Sequence, residues 1–185
     1  MIKDLIFSIW FFLPAGLANA SPLYAVKIPG LKKLGYPLDL NRKIQSKAIF
    51  GKNKTWRGLI LAIVIGIIAV TIQHFIYIHS SWARSISGPI NYKTVNYVLL
   101  GTLLGGGAIL GDAIESFAKR RLDIKPGFSW FPYDQIDYIF GGCALTLLIV
   151  RLSIQKYLLI LVVWFIIHLI SSYIGYLTGM KDRPI

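Results

Sequence analysis

Cysteine, histidine and acidic side chains are scarce, with one, three and eight among 185 residues. Cys143 stands alone, so no intrachain disulfide can form and no thiolate pair can bind a metal. His74, His79 and His168 lack ligand spacing, which argues against zinc and reads each as a packed or interfacial side chain. The G-x-x-x-x-G-K-[ST] pattern of a Walker loop is absent. Neither a long repeat, a low-complexity tract nor a soluble second domain is visible, so residues 1–185 read as a single domain.

What the chain has in abundance is apolar sequence. Hydrophobic residues make up 55%, and five runs near 5–26, 58–79, 95–117, 134–151 and 157–177 approach the length of a membrane span. A spanning helix needs roughly 20 apolar residues. Only helices satisfy their own backbone inside lipid in this way, so the expected fold is all-α, a polytopic bundle of about five transmembrane helices. The net charge of +12 would suggest nucleic acid in a soluble protein, but its distribution argues for topology instead. Residues 27–57 hold nine Lys/Arg, 118–133 four and the tail two, against five in all other segments. By the positive-inside rule the N-terminus is outside, the C-terminus is cytoplasmic, and the loops of about 27–57 and 118–133 are cytoplasmic. No nucleic-acid partner is implied. Ala18-Asn19-Ala20 offers a signal-peptidase pattern, but cleavage there would send the most basic loop outside, against the charge bias.

Five of the eight carboxylates fall in "GDAIESFAKRRLDIKPGFSWFPYDQIDY", and four of them, Asp112, Glu115, Asp134 and Asp137, lie where two spans meet their connection. Only 13 uncharged residues separate Asp137 from Arg151, too few to cross, so the fourth span must begin near Asp134. Asp134 and Asp137 then lie at the cytoplasmic edge of the membrane, as do Asp112 and Glu115 just before "KRR". A carboxylate at that depth is costly unless it faces a partner or a wet cavity. Each pair has i, i+3 spacing and so shares one helix face. Two antiparallel helices can therefore gather four oxygen ligands, and a hard divalent ion such as Mg²⁺ relieves their repulsion. The plainer alternative pairs Asp112 and Glu115 with Lys119, Arg120 or Arg121 across a helix turn.

Other segments suit this reading. "GTLLGGGAILGD" carries glycines at 101, 105, 107 and 111, two small-xxx-small steps for tight helix packing. "FGKNKTWRGL" puts Lys52, Lys54, Thr55 and Arg57 at the same edge as the acids. Basic groups and a hydroxyl beside a metal are what a triphosphate requires. In the first span Pro22 should kink or end the helix, and Asn19 and Ser21 either satisfy the freed backbone or line a substrate cavity.

Taken together, "ANASP", "GKNKTWRG" and "GDAIESFAKRRLDIKPG…PYDQIDY" resemble the motifs of the CDP-archaeol synthase family over nearly the whole chain. These are small membrane CTP transferases related to the phosphatidate cytidylyltransferases. The resemblance implies a five-helix enzyme of the cell membrane that uses Mg²⁺ and CTP. It would transfer a cytidylyl group to a lipid phosphate and release pyrophosphate. It further implies that Asp112, Glu115, Asp134 and Asp137 belong to the catalytic signature, with Asp112, Asp134 and Asp137 as metal ligands. Lys54, Thr55, Arg57, Ser116, Lys119, Arg120, Arg121 and Lys125 match its hydroxyl and basic positions. The wider cytidylyltransferases read Asp-Arg-x-Asp-Ser where this chain has Asp134, Gln135, Ile136, Asp137 and Tyr138. Two matters stay open: whether the lipid tails are isoprenoid ethers or acyl esters, and whether the chain forms a homodimer. A cation transporter is the rival from another class. It predicts polar or charged residues along the full membrane depth, whereas the second and fifth spans hold no carboxylates and the outer half of the third is almost purely apolar.

Overall fold

The computed structural model describes residues 2–180. The two basic residues counted in the tail, Lys181 and Arg183, lie outside the described residues. The chain is helical apart from its loops: α1 (Ile2–Ala20), α2 (Pro22–Ala25), α3 (Trp56–His79), α4 (Ser81–Ile86), α5 (Tyr97–Arg121), α6 (Tyr133–Thr146) and α7 (Ile154–Leu177). Helix starts follow capping chemistry. The side chains of Thr55, Ser80 and Asn96 accept the first free N–H groups of α3, α4 and α5, from Gly58, Ala83 and Leu99.

Four helical stretches among the described residues are long and apolar enough to cross a membrane: Ile2–Ala25, Trp56–His79, Tyr97–Arg121 and Ile154–Leu177. The expected fourth span, near 134–151, differs. α6 has only 14 residues, or about 21 Å of helix. After α6 the chain continues in turns, and Val150 beyond them joins the same core cluster as Phe7 at the start of α1.

Side-chain pairs fix the directions of the helices. Lys156 Nζ meets Asp4 at 2.9 Å and Trp164 Nε1 donates to the Ser8 carbonyl at 2.9 Å, so α1 and α7 run parallel. Trp10 packs edge-on against Trp82 and Tyr92, which places the end of α3 and the start of α5 beside the start of α1. The 26–55 loop, the 122–132 loop and the end of α7 therefore gather at the opposite end. Phe7, Phe11, Phe12 and Ala15 of α1 form the middle of the core, against Leu104 of α5, Ile139 of α6 and Trp164 of α7. Val64, Ile68 and Ile72 on α3 and Leu158, Val162, Ile166 and Ile170 on α7 are exposed at helical spacing. Such apolar stripes suit contact with lipid tails.

The glycine steps of α5 serve two neighbours. A Cβ on Gly101 or Gly105 would strike backbone atoms of Gly66, Ile67 or Ala62 in α3. A Cβ on Gly107 or Gly111 would strike the carbonyls of Gly141 or Asp137 in α6. One helix thus holds two others at backbone contact, the geometry that small residues permit.

The second span hides one polar residue, Gln73, which is buried. Its reason lies in α1. Pro14 sits inside that helix and has no N–H to give the Trp10 carbonyl. The Gln73 amide donates to that carbonyl instead. An unpaired carbonyl in an apolar core costs about 1–3 kcal/mol. Gln73→Leu should therefore lower the unfolding midpoint in detergent, and adding Pro14→Ala, which returns an N–H to α1, should recover most of the loss. A double variant no better than Gln73→Leu alone would refute this pairing.

Candidate functional site

At the loop end of the bundle a cavity of about 1010 Å³ opens between α5, α6, α7 and the 48–54 segment. Its floor is acidic. Asp112, Glu115 and Asp137 each bring a carboxylate oxygen within 4.8 Å of the others. The approach of α5 and α6 at Gly111 makes this possible, because the Asp137 backbone lies where a Gly111 Cβ would be. Asp112 is ion-paired with Lys54 at 2.6 Å, across 58 positions of sequence. Asp137 makes no ion pair among the described residues and accepts from the N–H of Tyr138.

Asp134 lies one turn earlier and engages differently. It is in the first turn of α6, where one oxygen accepts from the Trp130 N–H at 2.9 Å and the other meets Lys119. Lys119 is buried and also binds Glu115 at 3.0 Å and the Phe128 carbonyl at 3.0 Å. One ammonium thus ties α5, α6 and the connection between them. The i, i+4 pairing expected as the plainer reading is real for Glu115, but it accounts for neither Asp112 nor Asp137.

Of the other residues singled out in the sequence, Lys52, Lys54, Ser116, Lys119 and Arg120 line the cavity. The remainder do not. Thr55 caps α3, and Arg57 rests near Gly35. Arg121 donates to the carbonyls of Ile44 (2.8 Å) and Ala48 (2.6 Å), and Lys125 is exposed off the wall. Ser21 gives its hydroxyl to the Ala18 carbonyl at 2.8 Å, which satisfies the backbone at the Pro22 break; Asn19 is half-buried off the wall.

The structure also adds wall residues that the sequence did not mark: Asn53, Gln135, His168 and Ser172. The i, i+4 spacing of His168 and Ser172 on an otherwise apolar helix was the available signal.

The basic wall is held in place by its loop. Lys43–Ile44 and Lys47–Ala48 form a two-residue hairpin, with Gln45 and Ser46 both at positive φ. Arg121 grips it from α5, and Lys47 pairs with Asp123 at 2.6 Å. Behind it, buried Asp39 accepts the N–H groups of Asn41, Phe50 and Gly51 at 2.9, 2.9 and 3.0 Å. Burial pushes the Asp39 carboxyl up, but these backbone donors outweigh it and hold it below its ordinary value.

The donor set is all hard oxygen, crowded, and only partly neutralised by Lys54 and Lys119. That arrangement fits a hard divalent cation shared with phosphate oxygens. Sequence comparison places this chain in a family. The CarS-like CDP-archaeol synthase family matches over residues 1–185. The chain belongs to it. The CDP-archaeol synthase of Thermococcus onnurineus is 32% identical over 99% of this chain and 98% of its own length. Those of Methanocaldococcus jannaschii and Methanococcus maripaludis are 34% and 35% identical, over 95% and 96% of this chain and 94% and 95% of their own lengths. A solved structure described as an intramembrane enzyme for archaeal membrane lipids biosynthesis superposes with a TM-score of 0.68. It is 25% identical and covers 89% of this chain and 91% of that one. As a CDP-archaeol synthase family member, this chain is a membrane-embedded cytidylyltransferase. Nothing found supports a transporter.

Two outcomes test the site's construction. Lys119→Met strands Glu115 and Asp134 without their cation and should cost about 3–5 kcal/mol, the scale for halving a buried ion pair. An unchanged thermal midpoint in detergent would remove Lys119 from that role. The Asp39 carboxyl has its pKa lowered by folding, so its contribution is present above its unfolded value of about 3.9. It is lost as pH falls through the lower folded value. Proteolysis of the 39–54 loop should thus rise below about pH 4 in the wild type. In Asp39→Asn it should already be raised at neutral pH; equal cleavage of the two proteins at pH 7 would contradict the assignment.

Proposed function

We propose that this protein transfers the cytidylyl group of CTP to a membrane lipid phosphate, with Mg²⁺ bound by Asp112, Glu115 and Asp137. The lipid class follows its relatives, which are named CDP-archaeol synthases. The substrate would be an archaeol-type glycerol phosphate and the product its CDP derivative. The observation that carries the residue assignment is the meeting of three carboxylates from α5 and α6 at the floor of a cavity walled by lysines. Asp134 was the expected third metal ligand. Lys119 pairs with both Asp134 and Glu115, but the convergence with Asp112 and Asp137 includes Glu115, and the Trp130 N–H occupies the other oxygen of Asp134, which favours Glu115 in its place.

A phosphate oxygen of the lipid attacks the α-phosphorus of CTP, a new P–O bond forms, and the bond to the pyrophosphate oxygen breaks. The attacking phosphate is already anionic near neutral pH, because its second pKa is about 6. No side chain is needed as general base, so the protein's work is placement and charge neutralisation. Mg²⁺, when bound, would neutralise charge on the reacting phosphates. Lys52, Lys54 and Arg120 would hold the triphosphate and the leaving pyrophosphate, with Ser116 as a further hydrogen-bonding group on the wall. Lys119 would act one step back, by positioning Glu115 and Asp134.

The same reading puts the active site at the cytoplasmic face of the cell membrane, where CTP is available. The concentration of Lys/Arg in the 27–57 and 118–133 loops, which border the cavity, supports this orientation. The lipid would reach the cavity from the bilayer.

The test is transfer of label from CTP into organic extract by purified protein, with Mg²⁺ and either an archaeal ether-lipid phosphate or phosphatidic acid. Asp137→Asn should keep the fold and lose at least about 10²-fold in turnover, in the range seen when a group stabilising transition-state charge is removed. Near-normal turnover would take Asp137 out of the metal shell.

A further inference from the structure

Gln135 is a neutral side chain among the charged groups of the cavity. Its side chain lines the wall, is only 3% exposed, and its Oε1 has no hydrogen-bond partner among the described residues. A buried carbonyl left without a donor costs free energy, so such an atom asks for a ligand that supplies an N–H or O–H. A neutral amide here adds no charge to hold phosphate.

Which part of the substrates could satisfy it is settled by donor chemistry. This inference rests on the cytidylyltransferase reading, under which the cavity takes CTP and a lipid phosphate. Near neutral pH the lipid phosphate and the triphosphate are largely ionised and act as acceptors. Ether-linked or ester-linked glycerol tails carry no donor either. The donors that remain are the exocyclic amino group of cytosine and the ribose hydroxyls. Of these the amino group matches an amide best, because cytosine presents a donor beside a ring-nitrogen acceptor, and a carboxamide presents an acceptor beside a donor. The surroundings agree with a base rather than a phosphate. His168 and Ser172 of α7 share the wall with Gln135, while the lysines lie on the 48–54 segment and α5. We infer that Gln135 reads the amino edge of cytosine and sets the preference for CTP over UTP.

The experiment uses the full-length protein in detergent with lipid phosphate, Mg²⁺ and four nucleotides: CTP, UTP, 2′-deoxy-CTP and the 2-pyrimidinone ribonucleoside triphosphate, which lacks the amino group. In the unmutated protein, removal of the amino group should lower kcat/KM by about tenfold or more, the scale of one buried hydrogen bond lost to a site built for it. In Gln135→Leu, CTP should fall to the level of the amine-free analogue, and the two should differ by less than about twofold. The analogue comparison in unmutated protein does not depend on how well the variant folds. Equal use of CTP and the analogue by the unmutated protein overturns the inference. So does a Gln135→Leu variant that slows both equally, which is the mark of a structural role or of a water as sole partner. An effect of Gln135→Leu that disappears with 2′-deoxy-CTP assigns the amide to the ribose and overturns it as well. Absence of transfer from CTP by the unmutated protein would instead overturn the cytidylyltransferase reading, and this inference with it.

Discussion

The contact between α5 and α6 at Gly107, Gly111 and Gly141 is the constraint on which the rest depends. Backbone meets backbone there, and no side chain larger than hydrogen fits. At that separation Asp112 and Glu115 on one helix and Asp137 on the other converge within 4.8 Å. Coulomb repulsion alone would push such groups apart or force them to take up protons. They are held by packing that the acids do not control, by the Gly101 and Gly105 seam on the opposite side of α5, and by two lysines. The free energy that keeps the site assembled therefore comes largely from the apolar bundle. The chemistry is concentrated at one end, where water and nucleotide can reach it.

Lys54 and Lys119 show two uses of one residue type. Lys54 reaches the site from a loop and meets Asp112 at its edge, where a polyphosphate can compete for it. Lys119 is buried on α5, bound to two carboxylates and a carbonyl, and has the character of a fastening. The same distinction separates Arg120, on the wall, from Arg121, which clamps the 43–48 hairpin. Neighbours in sequence on a helix face different directions, so a run of three basic residues divides into different tasks. Asp39 extends the logic into the loop, where three backbone N–H groups on one carboxylate fix the segment that presents Lys52 and Lys54.

The polar residues buried away from the site have local causes. Gln73 answers the carbonyl that Pro14 leaves open, and Ser21 answers the one at the break before Pro22. Trp164 Nε1 and the Tyr138 hydroxyl each find a backbone carbonyl, on Ser8 and Trp164. In an apolar surrounding each such pairing avoids an unsatisfied group, which is why these side chains tolerate burial at all. Trp10 Nε1, Gln73 Oε1, the Tyr92 hydroxyl and Gln135 Oε1 are buried without a hydrogen-bond partner among the described residues, and of these four side chains Gln135 is the one on the wall of the cavity.

Much was legible in the chain before any coordinates. Apolar runs dictate a helical membrane bundle because lipid offers no hydrogen bonds to an open backbone. The i, i+3 acids beside "KRR" mark a site because carboxylates at that depth need a reason, and the glycine steps announce close packing. Spacing along a helix fixes which side chains share a face, but not what that face meets. Only tertiary structure decided that Glu115 sits with Asp112 and Asp137 while Asp134 accepts the Trp130 N–H, with Lys119 bound to both Glu115 and Asp134. It likewise assigned Thr55 to a cap and Arg121 to a hairpin, and brought His168 and Ser172 to the wall from an apolar helix. Those outcomes turn on the rotation and approach of one helix against another, quantities set by the packing of the whole bundle and written in no short stretch of sequence.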